Sequence, residues 1–224
     1  EAECVKVFYN TFISAKVGLV NMIQDVAMKQ GNINVDVVTK ALAESTTRIM
    51  SPKYMTAGMG DAGPCHPRDN IALRYLAESL DLGYDIFDTI INAREMQASN
   101  MAFFLLDQQE TYDLPIVIHG KAYKPDVDML DGSYSTLIGS YLEENEAEYY
   151  YSDPLTGDTV PNDTSAIVLL AHNRQITYGY TGDLPQQQMY FKPGPGSVVV
   201  DPWRRFSTDR DDIQVIHYGN TRKN

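Results

Sequence analysis

The sequence predicts two parts of different class: an all-α segment over residues 1–108, then an α/β segment over 109–224 built on a parallel sheet. Three observations carry that division. Apolar residues recur at helical spacing through the first hundred positions, as in Val5, Phe8, Phe12, Leu19, Ile23 and Val26. After Glu110 the pattern changes to compact apolar runs of the kind that buried parallel strands present. Helical stretches fall between those runs, and strand–helix alternation implies a sheet covered on both faces.

The elements follow in order. The first helix should stop near Gly31, a natural left-handed C-cap, and Asn34 then caps a short helix through Val38, Ala41 and Leu42. Between Ser51 and Pro67 the periodicity breaks: Gly58, Gly60 and Gly63 with Pro52, Pro64 and Pro67 make a loop. A helix restarts around Asp69 and carries Leu73, Leu76 and Leu80; a long amphipathic one runs from about Asp85 to Leu106. Leu114–His119 is the first strand and ends at Gly120. Ser133–Leu142 is a helix, and Glu148–Ser152 a second strand closed by Asp153-Pro154. Ala166–Ala171 and Ser197–Asp201 are further strands, and Gly179–Pro195, rich in Gly, Gln and Pro, reads as a surface loop.

Composition limits the function classes. The 224 residues carry 18 Lys and Arg against 30 Asp and Glu, a net charge of −12, which argues against broad nucleic-acid or anionic-membrane binding. No apolar run approaches the roughly 18 residues of a membrane span. Two cysteines, Cys4 and Cys65, exclude a disulfide scaffold and suit a reducing, cytoplasmic compartment. No signal peptide is visible in these residues, and an opening of Glu-Ala-Glu without Met suggests a piece of a longer protein.

Gly58 to Asp69 is the chemically informative segment. A glycine-rich loop lets backbone N–H groups approach a ligand, and here it leads directly into a helix. A thiol at a helix N-terminus is biased toward the nucleophilic thiolate, which marks Cys65; Asp69, four residues on, sits where it can orient a water or an ammonium. The plainer readings are a small buried cysteine and an aspartate that only complements the helix dipole. Lys6 and Asn10 share one helical face among Val5, Phe8, Tyr9 and Phe12, where a desolvated lysine serves as an acid, base or oxyanion partner; the plain alternative is a lysine reaching to solvent. His66, His119, His172 and His217 have no metal-ligand spacing, so no metal site is expected. Arg204-Arg205 at a strand end are candidates for a phosphate or for a solvated rim. No Gly-x-Gly-x-x-Gly follows a strand, so the chain carries no dinucleotide site of its own.

In order, these segments resemble the second and third domains of the UDP-glucose/GDP-mannose dehydrogenase family over most of the chain. Glu3-x-x-Lys6-x-x-x-Asn10 resembles the opening of the family's long central helix, and Arg48-Ile49 a pair upstream of its catalytic loop. Gly58 to Asp69 resembles that loop, with Cys65-x-Pro67-Arg68-Asp69 its most specific piece. Gly120-Lys-Ala-Tyr123-Lys124-Pro-Asp126 resembles the start of the nucleotide-sugar domain, and Asp153-Pro154 and Asp201-Pro202 fall at matching strand ends. The sequence departs from the pattern at Asp61 (usually Phe), Ala62 (usually Gly), Asp131 (usually Arg) and Trp203 (usually Arg).

The resemblance implies an all-α dimerisation domain over 1–108 and a Rossmann-like, UDP-binding domain over 109–224. The activity it implies is a four-electron, NAD-dependent oxidation of a UDP-sugar's primary alcohol to a uronic acid. The Cys65-x-Pro67-Arg68-Asp69 form leans toward UDP-glucose, hence toward polysaccharide biosynthesis. Cys65 would be the nucleophile, through a thiohemiacetal and a thioester. Lys6 and Asn10 would hold the reacting oxygens, and Asp69 the hydrolytic water. Tyr54, Gly58 and Gly60 would cradle the sugar nucleotide, Tyr123 and Lys124 would reach it from the second part, and Arg48 would contact it across a homodimer built on the long helix. NAD would sit mostly in a further N-terminal domain, so the chain by itself is expected to be inactive. Two other readings compete. One is a non-catalytic nucleotide-sugar-binding and dimerisation module of the same fold. The other, ranked last, is a relative of the hydroxyacid or phosphogluconate dehydrogenases, which needs neither Cys65 nor the α/β part.

Overall fold

A computed structural model describes residues 1–2, 5–6, 12, 15–16, 19, 23, 26–27, 29–51, 57–60, 63–179 and 189–219. Contacts group the chain into two compact units, residues 1–56 with 69–90, and residues 57–68 with 91–224. Among the described residues no helix is long and apolar enough to cross a membrane.

In the first unit, Val5, Phe12, Leu19, Ile23 and Val26 are all helical, as their spacing predicts. Gly31 takes φ +75°, and its N–H donates to Ala27 at 3.1 Å, which ends that stretch. Helix α1 spans Val35–Ala43. Asn34 Oδ1 accepts from the N–H groups of Asp36 and Val37, two donors the first turn would leave unpaired.

Helix α2 spans Cys65–Ser79, four residues earlier than the predicted start at Asp69. Pro67 does not delay it: in a first turn the missing N–H has no partner to lose, and the fixed φ is already helical. Helix α3 spans Phe87–Tyr112, with Asp85 Oδ1 accepting from Phe87 N at 2.6 Å. It outruns the predicted end at Leu106 by six residues. The apolar signal stops there, but Asp107-Gln-Gln-Glu continues the helix to Asp113, whose φ of +53° closes it.

The second unit holds the sheet, with β1 Ile116–His119, β2 Tyr149–Ser152, β3 Ile167–Leu170, β5 Val198–Asp201 and β7 Gln214–His217. Their order is β2-β1-β3-β5-β7, and every pairing is parallel. A separate parallel pair joins β4 Ile176–Tyr178 to β6 Phe206–Thr208. Helix α4, Tyr134–Glu144, makes the β1–β2 crossover and is capped by Ser133.

Both faces of the sheet are covered, but among the described residues only one by helices. Ala98, Met101, Ala102 and Leu105 of α3, with Ile138 and Leu142 of α4, pack on Ile116, Ile118, Ile167, Leu169, Val198 and Val200. The opposite face, Val117, Val168 and Val199, lies under Ile176, Phe206, Ile213, Met189 and Phe191. Here the expectation of strand–helix alternation fails: the described residues of the later crossovers are loops and the short β4–β6 pair. Met189 and Phe191 also correct the reading of Gly179–Pro195 as surface, since both are buried; residues 180–188 lie outside the described ones.

Candidate functional site

In a parallel sheet, ligands favour the carboxyl ends of strands where the order reverses. Here that point is β1–β3, because β1 connects outward to β2 while β3 leads the other way to β5 and β7. The chain leaves β1 through Gly120-Lys121-Ala122-Tyr123-Lys124 and leaves β3 through Ala171-His172-Asn173-Arg174.

Two buried carboxylates shape these exits. Asp153, 1% exposed, accepts from the N–H groups of Lys121 and Ala122 at 3.0 and 3.1 Å, and from that of Leu155 at 3.2 Å. Asp201 does the same after β5, accepting from Trp203 N at 3.0 Å and Phe206 N at 2.7 Å, with His217 Nδ1 at 3.1 Å. The two Asp-Pro corners therefore fix backbone. Beside them lie two histidines that sequence reasoning set aside. His119 Nε2 accepts from Tyr190 N at 2.8 Å, and the two rings stack at 4.4 Å. Burial, then the neighbouring His172, pushes the His119 pKa down to about 3. His172 Nε2 lies 2.9 Å from the Ala122 carbonyl, and burial lowers its pKa too. The signals available were a polar residue closing the apolar run at His119 and the paired Asp-Pro corners.

The cysteine loop belongs to the same unit. Cys65 is the first residue of α2 and is exposed, so the plain reading of a buried apolar cysteine fails. Gly63 has φ +116°, and a β-carbon there would come within 2.8 Å of the Tyr123 ring, so this step of the loop needs glycine. Pro64 packs on Gly132, at the start of the α4 region, and Gly60 faces the Tyr134 side chain. Gly58 lies flat against the Trp203 indole, leaving no room for a side chain. Thus Gly58, Gly60, Cys65 and Tyr123 come together at the sheet edge. Lys124 is exposed there, its ammonium 5.2 Å from the Tyr123 ring centroid, and Arg174 pairs with Asp126 through both carboxylate oxygens at 2.6 and 2.5 Å.

The other candidates are distributed differently. Lys6 is helical and exposed in the first unit. Arg48 is exposed in a turn of that unit, and Asp69 is exposed four residues along α2 from Cys65. Asn10, Tyr54, Asp61 and Ala62 lie outside the described residues. Arg204 is neither of the two things expected of it: its guanidinium donates to backbone carbonyls of Pro202, Tyr218 and Ala57.

The likeness to solved structures extends over nearly the whole chain. A ternary complex of GDP-mannose dehydrogenase from Pseudomonas aeruginosa superposes with a TM-score of 0.72 at 19% identity, covering 96% of this chain and 52% of that one. A UDP-glucose dehydrogenase from the archaeon Pyrobaculum islandicum gives 0.51 at 22% identity, covering 96% and 50%. These define the fold. Residues 1–95 match the central domain of the UDP-glucose/GDP-mannose dehydrogenase family. Similar curated proteins include UDP-glucose 6-dehydrogenase YwqF of Bacillus subtilis, 23% identical over 69% of this chain, and UDP-glucose 6-dehydrogenase of Gallus gallus, 27% identical over 68%. The chain spans about a third of their length, 34% and 31% respectively.

Proposed function

We propose that this chain is the central and C-terminal part of an NAD-dependent dehydrogenase that oxidises the primary alcohol of a UDP-sugar, UDP-glucose foremost, to the uronic acid. The observation that carries the reading is an exposed cysteine at the N-terminus of a 15-residue helix, delivered by a glycine loop that rests on the carboxyl edge of a parallel sheet. Tyr123 supports that loop at Gly63, and Lys124, the next residue, offers a cation to a diphosphate.

The chemistry assigned to this chain centres on one sulfur. Once the alcohol has become an aldehyde, the Cys65 thiolate adds to its carbon and the carbonyl oxygen takes up negative charge, giving a thiohemiacetal. Oxidation of that adduct leaves a thioester. Water then adds to the acyl carbon, the C–S bond breaks, and Cys65 departs as thiolate with the acid released. By resemblance, Lys6 and Asn10 stabilise the oxygen charge, Asp69 orients the water, and Arg48 and Tyr54 contact substrate. NAD supplies the acceptor for the two hydrides. The turn after β1 does not fit it in the Rossmann manner: Gly120 is its first glycine and α4 begins only at Tyr134, with no Gly-x-Gly-x-x-Gly between. No residue here is assigned to the dinucleotide, which is expected to be held by a domain N-terminal to this one.

The same reading makes the protein a homodimer. Val5, Phe12 and Leu19 recur every seven residues and are 68%, 49% and 40% exposed, a seam suited to a second copy. The domain assignment, dimerisation over 1–108 and UDP binding over 109–224, and a reducing cytoplasmic setting belong to this proposal. Calorimetric titration with UDP-glucose tests it. Micromolar-range binding to the unaltered protein, weakened about tenfold or more in a folded Lys124→Ala variant, is expected. Equal affinity in the two proteins removes Lys124 from the site, and no binding of UDP-glucose or UDP overturns the assignment.

A further inference from the structure

We propose that Trp203 and Arg204 are positioning residues for Cys65: they clamp the upstream end of the glycine loop to the sheet edge and so fix where the cysteine's helix begins. The inference rests on the reading of Cys65 as the reacting thiol.

Trp203 is itself held firmly. Its backbone N–H donates to Asp201 Oδ1 at 3.0 Å, and its indole Nε1 donates to the carbonyls of Leu170 and Ala171, at 3.1 and 3.3 Å, where β3 ends. The indole is thus tied to both β5 and β3, and the face it presents is filled by Gly58. The next residue, Met59, is buried with α3 and Tyr134 in the core of the sheet's helical face. Arg204 adds a polar tie to the same stretch. It has φ +55°, a left-handed conformation that non-glycine residues rarely keep without compensation. That conformation brings its guanidinium to the carbonyls of Pro202, Tyr218 and Ala57, so one side chain joins the β5 exit, the β7 exit and the loop.

The loop is therefore gripped at both ends. Ala57–Met59 are held by Trp203, Arg204 and the core; Gly63-Pro64 are held by Tyr123 and Gly132. Six residues lie between Gly58 and Cys65, and with the upstream grip released the downstream contacts alone would have to hold the thiol in register. An arginine whose N–H groups serve three carbonyls is a structural brace, in contrast to the phosphate contact that its sequence position suggested.

Hydrogen exchange and thiol kinetics on the ligand-free protein test this. In Trp203→Ala and Arg204→Ala, exchange of the peptide covering 57–65 should rise about tenfold or more while β1, β3 and β5 keep their protection. The pH profile of Cys65 alkylation by iodoacetamide should shift by about half a unit or more in the same variants. Trp203→Phe, which keeps a ring against Gly58, should remain within about threefold of the unaltered protein in both readouts. Unchanged exchange and an unchanged profile in both alanine variants would overturn the proposal. So would equal deprotection of the three strands, which would make the pair a brace of the sheet alone. A failure of UDP-glucose to slow Cys65 alkylation in the unaltered protein would count against the dehydrogenase reading instead, and the ligand-free readouts would still judge the clamp.

Discussion

The two compact units bury their apolar residues to very different extents. In the unit containing the sheet, whole strands vanish from solvent: Ile116, Val117, Ile118, Ile167, Val168 and Leu169 are all fully buried. In the other, the buried apolar residues among those described are Ala27, Ala77 and Phe87, α1 has none, and Val37 and Tyr75 are 65% and 72% exposed. A parallel sheet with two covered faces buries its own apolar runs, whereas the described residues of the helical unit leave large apolar side chains in solvent.

The largest expected effect tests that contrast directly. Leu105→Ala, at a fully buried contact between α3 and the sheet, should cost about 2–5 kcal/mol in denaturant unfolding. Tyr75→Ala, on an exposed helix face, should stay within about 0.5 kcal/mol in dilute solution. Equal losses would erase the distinction between the units.

The Gly58–Trp203 contact comes next. Gly58→Ala should lose about 1–3 kcal/mol by overpacking, and combining it with Trp203→Ala should recover part of the loss. Strict additivity in that double-mutant cycle would mean that the two residues do not touch.

Acid provides a third probe, confined to the sheet unit. His119 titrates near 3 when folded and near 6.5 when unfolded, so between those values the unfolded chain binds the extra proton. Its contribution is complete above about pH 6.5 and declines as the pH falls toward 3, with a slope approaching about 1.4 kcal/mol per pH unit. His119→Gln should flatten that part of the stability curve. The smallest thermal effect is expected for replacing Val5, Phe12 and Leu19 together by Ser: sedimentation should report loss of the proposed dimer while the sheet unit's melting midpoint hardly moves.

Much of this was legible in the residues. Asn34, Gly31 and Ser133 mark helix ends by chemistry that tertiary contacts did not alter, and the apolar runs at Ile116, Ile167 and Val198 could only be buried strands. Gln214–His217 went unread because an edge strand with one exposed end has neither a full apolar run nor alternation. The three-residue strands Ile176–Tyr178 and Phe206–Thr208 are too short to carry a period. Cys65 was legible from its loop and helix. The embrace of that loop by Tyr123, Trp203 and Arg204 was not, because contacts across more than fifty residues leave no local signature. His119 and His172 were set aside for want of ligand spacing, and their partners, Tyr190 and Ala122, lie 71 and 50 positions away in sequence.

In the proposed function the Cys65 sulfur faces a bound sugar, and the rate of iodoacetamide labelling at Cys65, followed by mass spectrometry with and without UDP-glucose, reports on that placement directly. Labelling should slow about tenfold when UDP-glucose is present at ten times its dissociation constant. Labelling unaffected by UDP-glucose that calorimetry finds to be bound would show that the sulfur does not face the sugar.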